Sequence, residues 1–158
     1  MILEQFEIVS ARSSRFTVRL FDTSDAMNQQ VYRETGAPMM PGSAGMFVGR
    51  PFDFDNPQRN LGTINLCTES LEINYVTHEC VHAAMHQYVA HWIKWESRAR
   101  VHMAADNEPI AYLIGEMVEK VTVKLGQRGH PVTIPEQVPA RGVILTTEQR
   151  DYPAEMYT

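Results

Sequence analysis

The stretch His78-Glu79-Cys80-Val81-His82 places two histidines four positions apart, with a glutamate directly after the first. In an α-helix, residues four apart lie about one turn apart on the same face, so both imidazoles project in one direction. Two neutral imidazole nitrogens at this separation suit a tetrahedral zinc ion with bonds of roughly 2.0–2.1 Å. Glu79 lies about 100° round the helix, where it is better placed to take a proton from a water molecule than to bind the metal. The stretch therefore predicts a helix with zinc ligands at His78 and His82 and a general base at Glu79.

The apolar residues around this stretch predict a helix over 71–96. They repeat at helical spacing and define one face, made of Leu71, Val81, Met85, Val89 and Trp92. On a helical wheel His78 and His82 fall within that face. The opposite face carries Cys80, Ala84, Gln87 and His91. Because a solvated helix would carry histidines on its polar side, we expect both imidazoles to point inward. The alternative is a pair of buried, hydrogen-bonded histidines without a metal.

A second amphipathic helix, predicted over 106–125, offers a third zinc ligand. It opens with Asp106-Asn107-Glu108-Pro109 and continues with apolar residues at helical spacing. Ala111 and Gly115 lie on another stripe of this helix, and such small residues would allow the histidine-bearing helix to approach closely. Glu108 then lies at the end of that contact. A catalytic zinc needs a third protein ligand and one open position, so Glu108 is the first candidate.

Two other residues remain candidates for the third ligand. His86 continues the row of histidines, but it lies two turns beyond His78, and a straight helix does not easily bring three imidazoles to one ion. On the helical wheel His86 lies beside Glu79, which suits a role in supporting the ligands or facing the substrate. Glu116 lies two turns beyond Glu108 and is the reserve ligand, although a solvated charge is the simpler interpretation.

Together the two segments resemble the gluzincin group of zinc metallopeptidases. The resemblance rests on the His-Glu-x-x-His stretch and on a glutamate that opens a helix 26 residues after His82. In particular, residues 78–84 with residues 108–116 look like compact zincin-like proteins of bacteriophages and their bacterial relatives. The resemblance implies that His78, His82 and Glu108 bind Zn²⁺ and that Glu79 is the general base.

The function that this resemblance implies is hydrolysis of peptide bonds in a protein or peptide substrate. Glu79 would deprotonate a zinc-activated water and return the proton to the leaving amine. Tyr112, one turn beyond Glu108, is a candidate donor to the oxyanion, with a packed aromatic as the equal alternative. The alternative function is a phage structural or assembly protein that retains a zincin-like fold with a structural or vestigial metal site.

The expected fold is a single α+β, zincin-like domain spanning 1–158, in which a small, mostly antiparallel sheet packs on the two helices. We expect 1–66 to be mainly sheet, 70–126 to hold the metal-site helices and 127–158 to form an extended tail. Candidate strands lie at 6–10, 15–21, 46–48 and 62–66, with a short helix over 25–35. The strand over 62–66 directly precedes the histidine-bearing helix. It is a candidate edge strand for an extended peptide to join, with an ordinary sheet strand as the equal alternative.

The composition of the chain limits the classes of partner that we expect. The formal net charge of −5 argues against a nucleic-acid surface, and no apolar run is long enough to cross a membrane. Cys67 and Cys80 do not make a disulfide framework. With no signal-peptide pattern at the start, we expect a cytoplasmic protein of a bacterium or a phage-infected host, or a virion-associated one. The tail is expected to pack on the domain or on neighbouring subunits, so assembly with other subunits is a further expectation.

Overall fold

The computed structural model describes residues 1–36, 41–51, 60–92 and 108–135. Over these residues the fold is α+β, as predicted, with a four-stranded sheet and three α-helices. The strands are β1 (Ile2–Val9), β2 (Arg15–Phe21), β3 (Gly45–Gly49) and β4 (Asn60–Cys67). The helices are α1 (Ser24–Thr35), α2 (Ile73–Trp92) and α3 (Glu108–Gln127). Short 3₁₀ turns follow β1 and β4.

The sheet is mixed, with the strand order β1-β2-β4-β3. β1 and β2 form an antiparallel pair, β2 and β4 are parallel, and β3 is antiparallel to β4. The predicted mostly antiparallel sheet therefore has a parallel pairing at its centre. Of the two interpretations of residues 62–66, the edge strand is wrong and the ordinary sheet strand is found, because β4 lies between β2 and β3. Its residues from Leu61 to Cys67 are all buried, as expected for an internal strand, and β3 is the edge strand on that side.

The main core lies between one face of the sheet and the helices α2 and α3. From the sheet it takes Phe6, Ile8, Phe16, Val18, Leu20, Ile64 and Leu66. From the helices it takes Val76, Cys80, Ala83, Ala84, Met117, Val121 and Leu125. α1 packs on the opposite face of the sheet, where Phe21, Met27 and Cys67 form a smaller cluster. The two helices that follow β4 therefore share one core and lie on the same side of the sheet.

The face that α2 buries differs from the prediction. Cys80, Ala83 and Ala84 are fully buried, whereas Met85 is 43% exposed and the two histidines of the motif are exposed as well. The expectation that His78 and His82 point inward is therefore wrong. The physical reason is size, since small side chains let a helix come close to the sheet and to α3, and close packing outweighs the larger apolar residues of the other face.

The helices α2 and α3 pack together, but not through the predicted residues. Ala111 and Gly115 are exposed, and a Cβ atom added to Gly115 would meet nothing within 4 Å. α3 instead reaches the core through Met117, Val121 and Leu125, which follow one another at four-residue spacing. The stripe of small residues on α3 faces away from the contact, so its predicted role in helix packing is wrong.

The segment after α3 returns to the start of α2. Thr133 accepts a hydrogen bond from the Ile73 N–H at 2.8 Å and donates its own N–H to the Leu71 carbonyl at 3.0 Å. These bonds tie the first described part of the predicted tail to the entry of the histidine-bearing helix. The rest of the predicted tail, from 136 onward, lies outside the described residues.

Candidate functional site

His78 and His82 direct their ring nitrogens at each other on the exposed side of α2. Their Nε2 atoms are 3.1 Å apart, with ring centroids 4.7 Å apart and planes at 80°. Two ligands of one tetrahedral zinc with bonds of 2.0–2.1 Å would be about 3.3 Å apart. The pair thus has nearly the separation that a shared metal requires. The same distance also fits a hydrogen bond between the two rings. The sequence raised such a pair as an alternative, but as a buried pair, whereas both rings are exposed.

Glu79 is buried beside the two histidines, with 6% of its surface exposed. Its carboxylate accepts a hydrogen bond from the Phe47 backbone N–H of β3. Burial raises the pKa of Glu79 above its ordinary value, and the neighbouring histidines and this hydrogen bond oppose the rise. A carboxylate that holds a proton more firmly than usual, at the wall of a pocket, is suited to general acid–base chemistry.

A pocket of about 680 Å³ lies between β3 and α2. One wall is the chain leading into β3 and its first half, from Gly42 to Phe47. The other wall is formed by α2 residues, namely Asn74, Tyr75, His78, Glu79 and His82. A volume in the range of about 300–1,000 Å³ is typical of ligand sites. The structure therefore brings His78, Glu79 and His82 together at one concave surface.

The third metal ligand has no counterpart among the described side chains. Within the described ranges, no group of three or more His, Cys, Asp or Glu residues is arranged to hold a metal ion. Glu108 is the first residue of α3, and its side chain lies outside the described part of the structure. Glu108 as the third ligand therefore stays a prediction.

The reserve ligands lie elsewhere. His86 has its Nε2 3.0 Å from the Arg50 carbonyl oxygen, and its ring meets the Phe47 ring edge-on at 5.5 Å. Glu116 pairs with Lys120 and accepts hydrogen bonds from the Ser10 hydroxyl at 3.4 Å and the Ala11 N–H at 3.3 Å. His86 therefore holds β3 and Glu116 holds the turn after β1. Glu116 is a partly exposed charge, in line with the simpler interpretation, and Lys120 is its ion-pair partner.

Tyr112, the candidate oxyanion donor, lies on α3 with 75% of its surface exposed. It is not among the residues that line the described pocket. The geometry therefore gives no support to its proposed role.

Sequence reasoning missed the strand wall of the pocket. Gly45 and Phe47 contact Glu79, yet the sequence shows only a loop rich in glycine and proline followed by a short apolar run. Asn74 and Tyr75 were within reach, because they precede His78 by four and three positions and so share its side of the helix. The contacts between β3 and Glu79 depend on the tertiary fold, and no pattern within a few residues of Glu79 predicts them.

Comparison with protein-family models, curated proteins and solved structures gives no match to this chain. The resemblance to gluzincins therefore rests on the motif residues alone. No helix in the described ranges has the length and apolar character needed to cross a bilayer.

Proposed function

We propose that this protein is a zinc-dependent peptidase of zincin-like architecture, with His78 and His82 as metal ligands and Glu79 as the general base. The observation that carries the proposal is the convergence of the two Nε2 atoms, 3.1 Å apart, beside a buried glutamate at the wall of one pocket. A purely structural metal site has no use for such a glutamate.

The donor set fits zinc as far as it is described, since two neutral imidazoles are typical ligands of a catalytic zinc ion. When bound, the ion would polarise a peptide carbonyl and lower the pKa of a water molecule. We propose Glu108 as the third ligand from the sequence resemblance alone, since the described packing of α3 on the core runs through the later residues Met117, Val121 and Leu125. His86 and Glu116 are less suitable, because both already hold other parts of the chain.

Glu79 would take a proton from the attacking water and pass it to the nitrogen of the departing amine. Its low exposure keeps bulk water away from the carboxylate, and the Phe47 N–H limits the directions it can face. The pocket, about 680 Å³ in volume and lined also by Asn74 and Tyr75, leaves room for a peptide segment. The proposed substrate is accordingly a peptide or an extended protein segment.

The test is the Glu79→Gln variant. The amide is close in shape to the carboxylate but cannot act as a base, so turnover of a cleaved peptide should fall by about 10²–10⁴-fold. Zinc content should stay at the level of the unmodified protein, because the ligands are untouched. Glu119→Gln, an exposed glutamate on α3, is the matched control and should leave turnover unchanged. Equal cleavage by the Glu79→Gln and unmodified proteins would contradict the proposal.

A second candidate function is a structural or assembly protein, in a phage or its host, that keeps the zincin-like fold without catalysis. The observation that favours it is that the two imidazoles can hydrogen-bond directly, so the pair needs no metal to be stable. Zinc binding without cleavage of any peptide in a diverse library would favour this candidate.

A further inference from the structure

The strand β3 comes very close to α2 at Gly45, which lies directly against Glu79. A Cβ atom built on Gly45 would be 2.7 Å from Glu79 Cγ and 3.2 Å from its Cδ and Oε1. Gly45 lies in a strand, and the positive-φ glycines of the described chain are Gly36, Gly42 and Gly129. An alanine could therefore adopt the backbone conformation of Gly45. Glycine is required at position 45 because Glu79 fills the space that a side chain there would occupy.

The Glu79 carboxylate occupies the outward edge of β3. In an antiparallel pair, successive residues point their N–H groups alternately toward and away from the partner strand. The Arg50 N–H donates to the Leu61 carbonyl at 2.9 Å, so the even-numbered residues of this segment face β4. The Phe47 N–H therefore points away from β4, and it donates to the Glu79 carboxylate. The carboxylate lies where a further strand would form its hydrogen bonds.

We propose that Gly45 is a positioning residue that lets the Glu79 carboxylate lie on the Phe47 amide and face the pocket in one direction. This inference rests on the proposed role of Glu79 as the general base. A glutamate side chain has three rotatable bonds, and a close backbone wall with one fixed donor removes most of their freedom. Any side chain at position 45 would push the carboxylate off this donor.

Gly49 supplies a matched control on the same strand. A Cβ atom at Gly49 would lie 2.7 Å from His86 Cε1, the same distance at which a Cβ at Gly45 meets Glu79 Cγ, so an alanine there also presses on α2. Gly49 does not line the described pocket, and the atom it meets belongs to a different residue. Gly49→Ala therefore disturbs the contact between strand and helix without touching Glu79.

The experiment is a double-mutant cycle read as melting temperature with zinc in excess. Gly45→Ala should lower Tm by roughly 2–10 °C in the presence of Glu79, because overpacking costs stability. In a Glu79→Ala background the same change should cost only about 1 °C, since the colliding atoms are gone. Gly49→Ala should lower Tm equally in both backgrounds. If the Gly45→Ala chain fails to fold, recovery of folding in the Gly45→Ala/Glu79→Ala chain supports the contact.

Kinetics then separate positioning from packing. On a peptide that the unmodified protein cleaves, Gly45→Ala should lower kcat by about tenfold or more, with KM and zinc content unchanged. Gly49→Ala should leave kcat as it is. Equal Tm losses for Gly45→Ala in both backgrounds, or an unchanged kcat, would overturn the inference. If the unmodified protein cleaves no peptide, the proposed function fails, while the Tm cycle still decides whether Gly45 packs against Glu79, and a Tm loss that persists in the Glu79→Ala background overturns the inference.

Discussion

The two outer strands of the sheet, β1 and β3, are covered by different kinds of side chain. At the β1 edge, Lys120 and Lys124 of α3 donate to the Val9 and Glu7 carbonyls, and Arg128 pairs with Glu4 at 2.9 Å. These long cationic side chains cover backbone acceptors that could pair with another strand. At the β3 edge the outward Phe47 amide meets a buried carboxylate beside two histidines and a pocket.

The difference supports the proposal that the β3 edge is the one with a chemical role. The groups at the β1 edge are partly exposed and charged, and they satisfy carbonyls that need a donor. The carboxylate at the β3 edge is buried, and burial there raises its pKa, which is a cost that a purely structural contact would avoid. The β1 edge is thus built for stability, whereas the β3 edge holds a group in an unfavourable environment.

The largest effect should come from the proposed third ligand. Glu108→Ala should weaken zinc binding by more than about 100-fold, since removing even an outer partner of a ligand costs 10–100-fold. Glu116→Ala, which removes a carboxylate at the β1 edge, should leave zinc affinity unchanged. Competition with a chromophoric chelator measures both. A loss of zinc affinity in Glu116→Ala but not in Glu108→Ala would show that Glu116 is the third ligand. It would also contradict the assignment of a purely structural role to the β1 edge.

A medium effect is expected at the β1 edge. Replacing Lys120 and Lys124 by methionine keeps the aliphatic contacts but leaves the Val9 and Glu7 carbonyls without their donors. The free energy of unfolding should fall by about 0.5–1 kcal/mol for each substitution, because both lysines are partly exposed. Chemical denaturation measures this loss. Zinc affinity should not change, and a coupled loss of zinc would show that the two edges are not independent.

Sequence alone predicted much of the local structure. The strand over 15–21 and the helix over 25–35 are found as β2 and α1, because β2 alternates apolar and polar residues and α1 has clear caps. The Thr23 hydroxyl accepts from the Ala26 N–H at 3.1 Å, and Gly36 ends the helix with φ of 69°. Such signals lie within a few residues of each other.

What failed depended on contacts distant in sequence. The internal position of β4 follows from its parallel pairing with β2, about 45 residues earlier, and no local sequence pattern indicates this pairing. The prediction of the buried face of α2 was wrong because it rested on the large apolar residues. The small residues Cys80, Ala83 and Ala84 instead allow α2 to approach the sheet closely. The sequence could propose His78, Glu79 and His82 because their spacing is local, whereas the pocket wall formed by β3 is distant in sequence and was not predicted.

The smallest loss of stability is expected in α1, which is part of neither edge strand of the sheet. Burial opposes the ionised form of Glu34, but hydrogen bonds from Arg19 and Gln30 outweigh it, so the pKa of Glu34 is lowered. A lowered pKa stabilises the fold above the unfolded-state value of about 4.3, and this stabilisation is lost as pH falls through the folded-state value. Glu34→Gln should therefore be less stable by about 0.3–0.5 kcal/mol at pH 7, with the difference vanishing in acid. Thermal melts between pH 7 and pH 3 measure it, and a constant difference would contradict the assignment.

The most direct test of the central claim is the zinc-to-protein ratio, measured by mass spectrometry after the protein is equilibrated with zinc and desalted. We expect a ratio near one for the unmodified protein and near zero for His82→Ala, because a single histidine with one carboxylate holds zinc weakly. His130→Ala, a histidine outside the pocket lining, should keep the ratio near one. A ratio near zero for the unmodified protein, or one that His82→Ala leaves unchanged, would contradict the account.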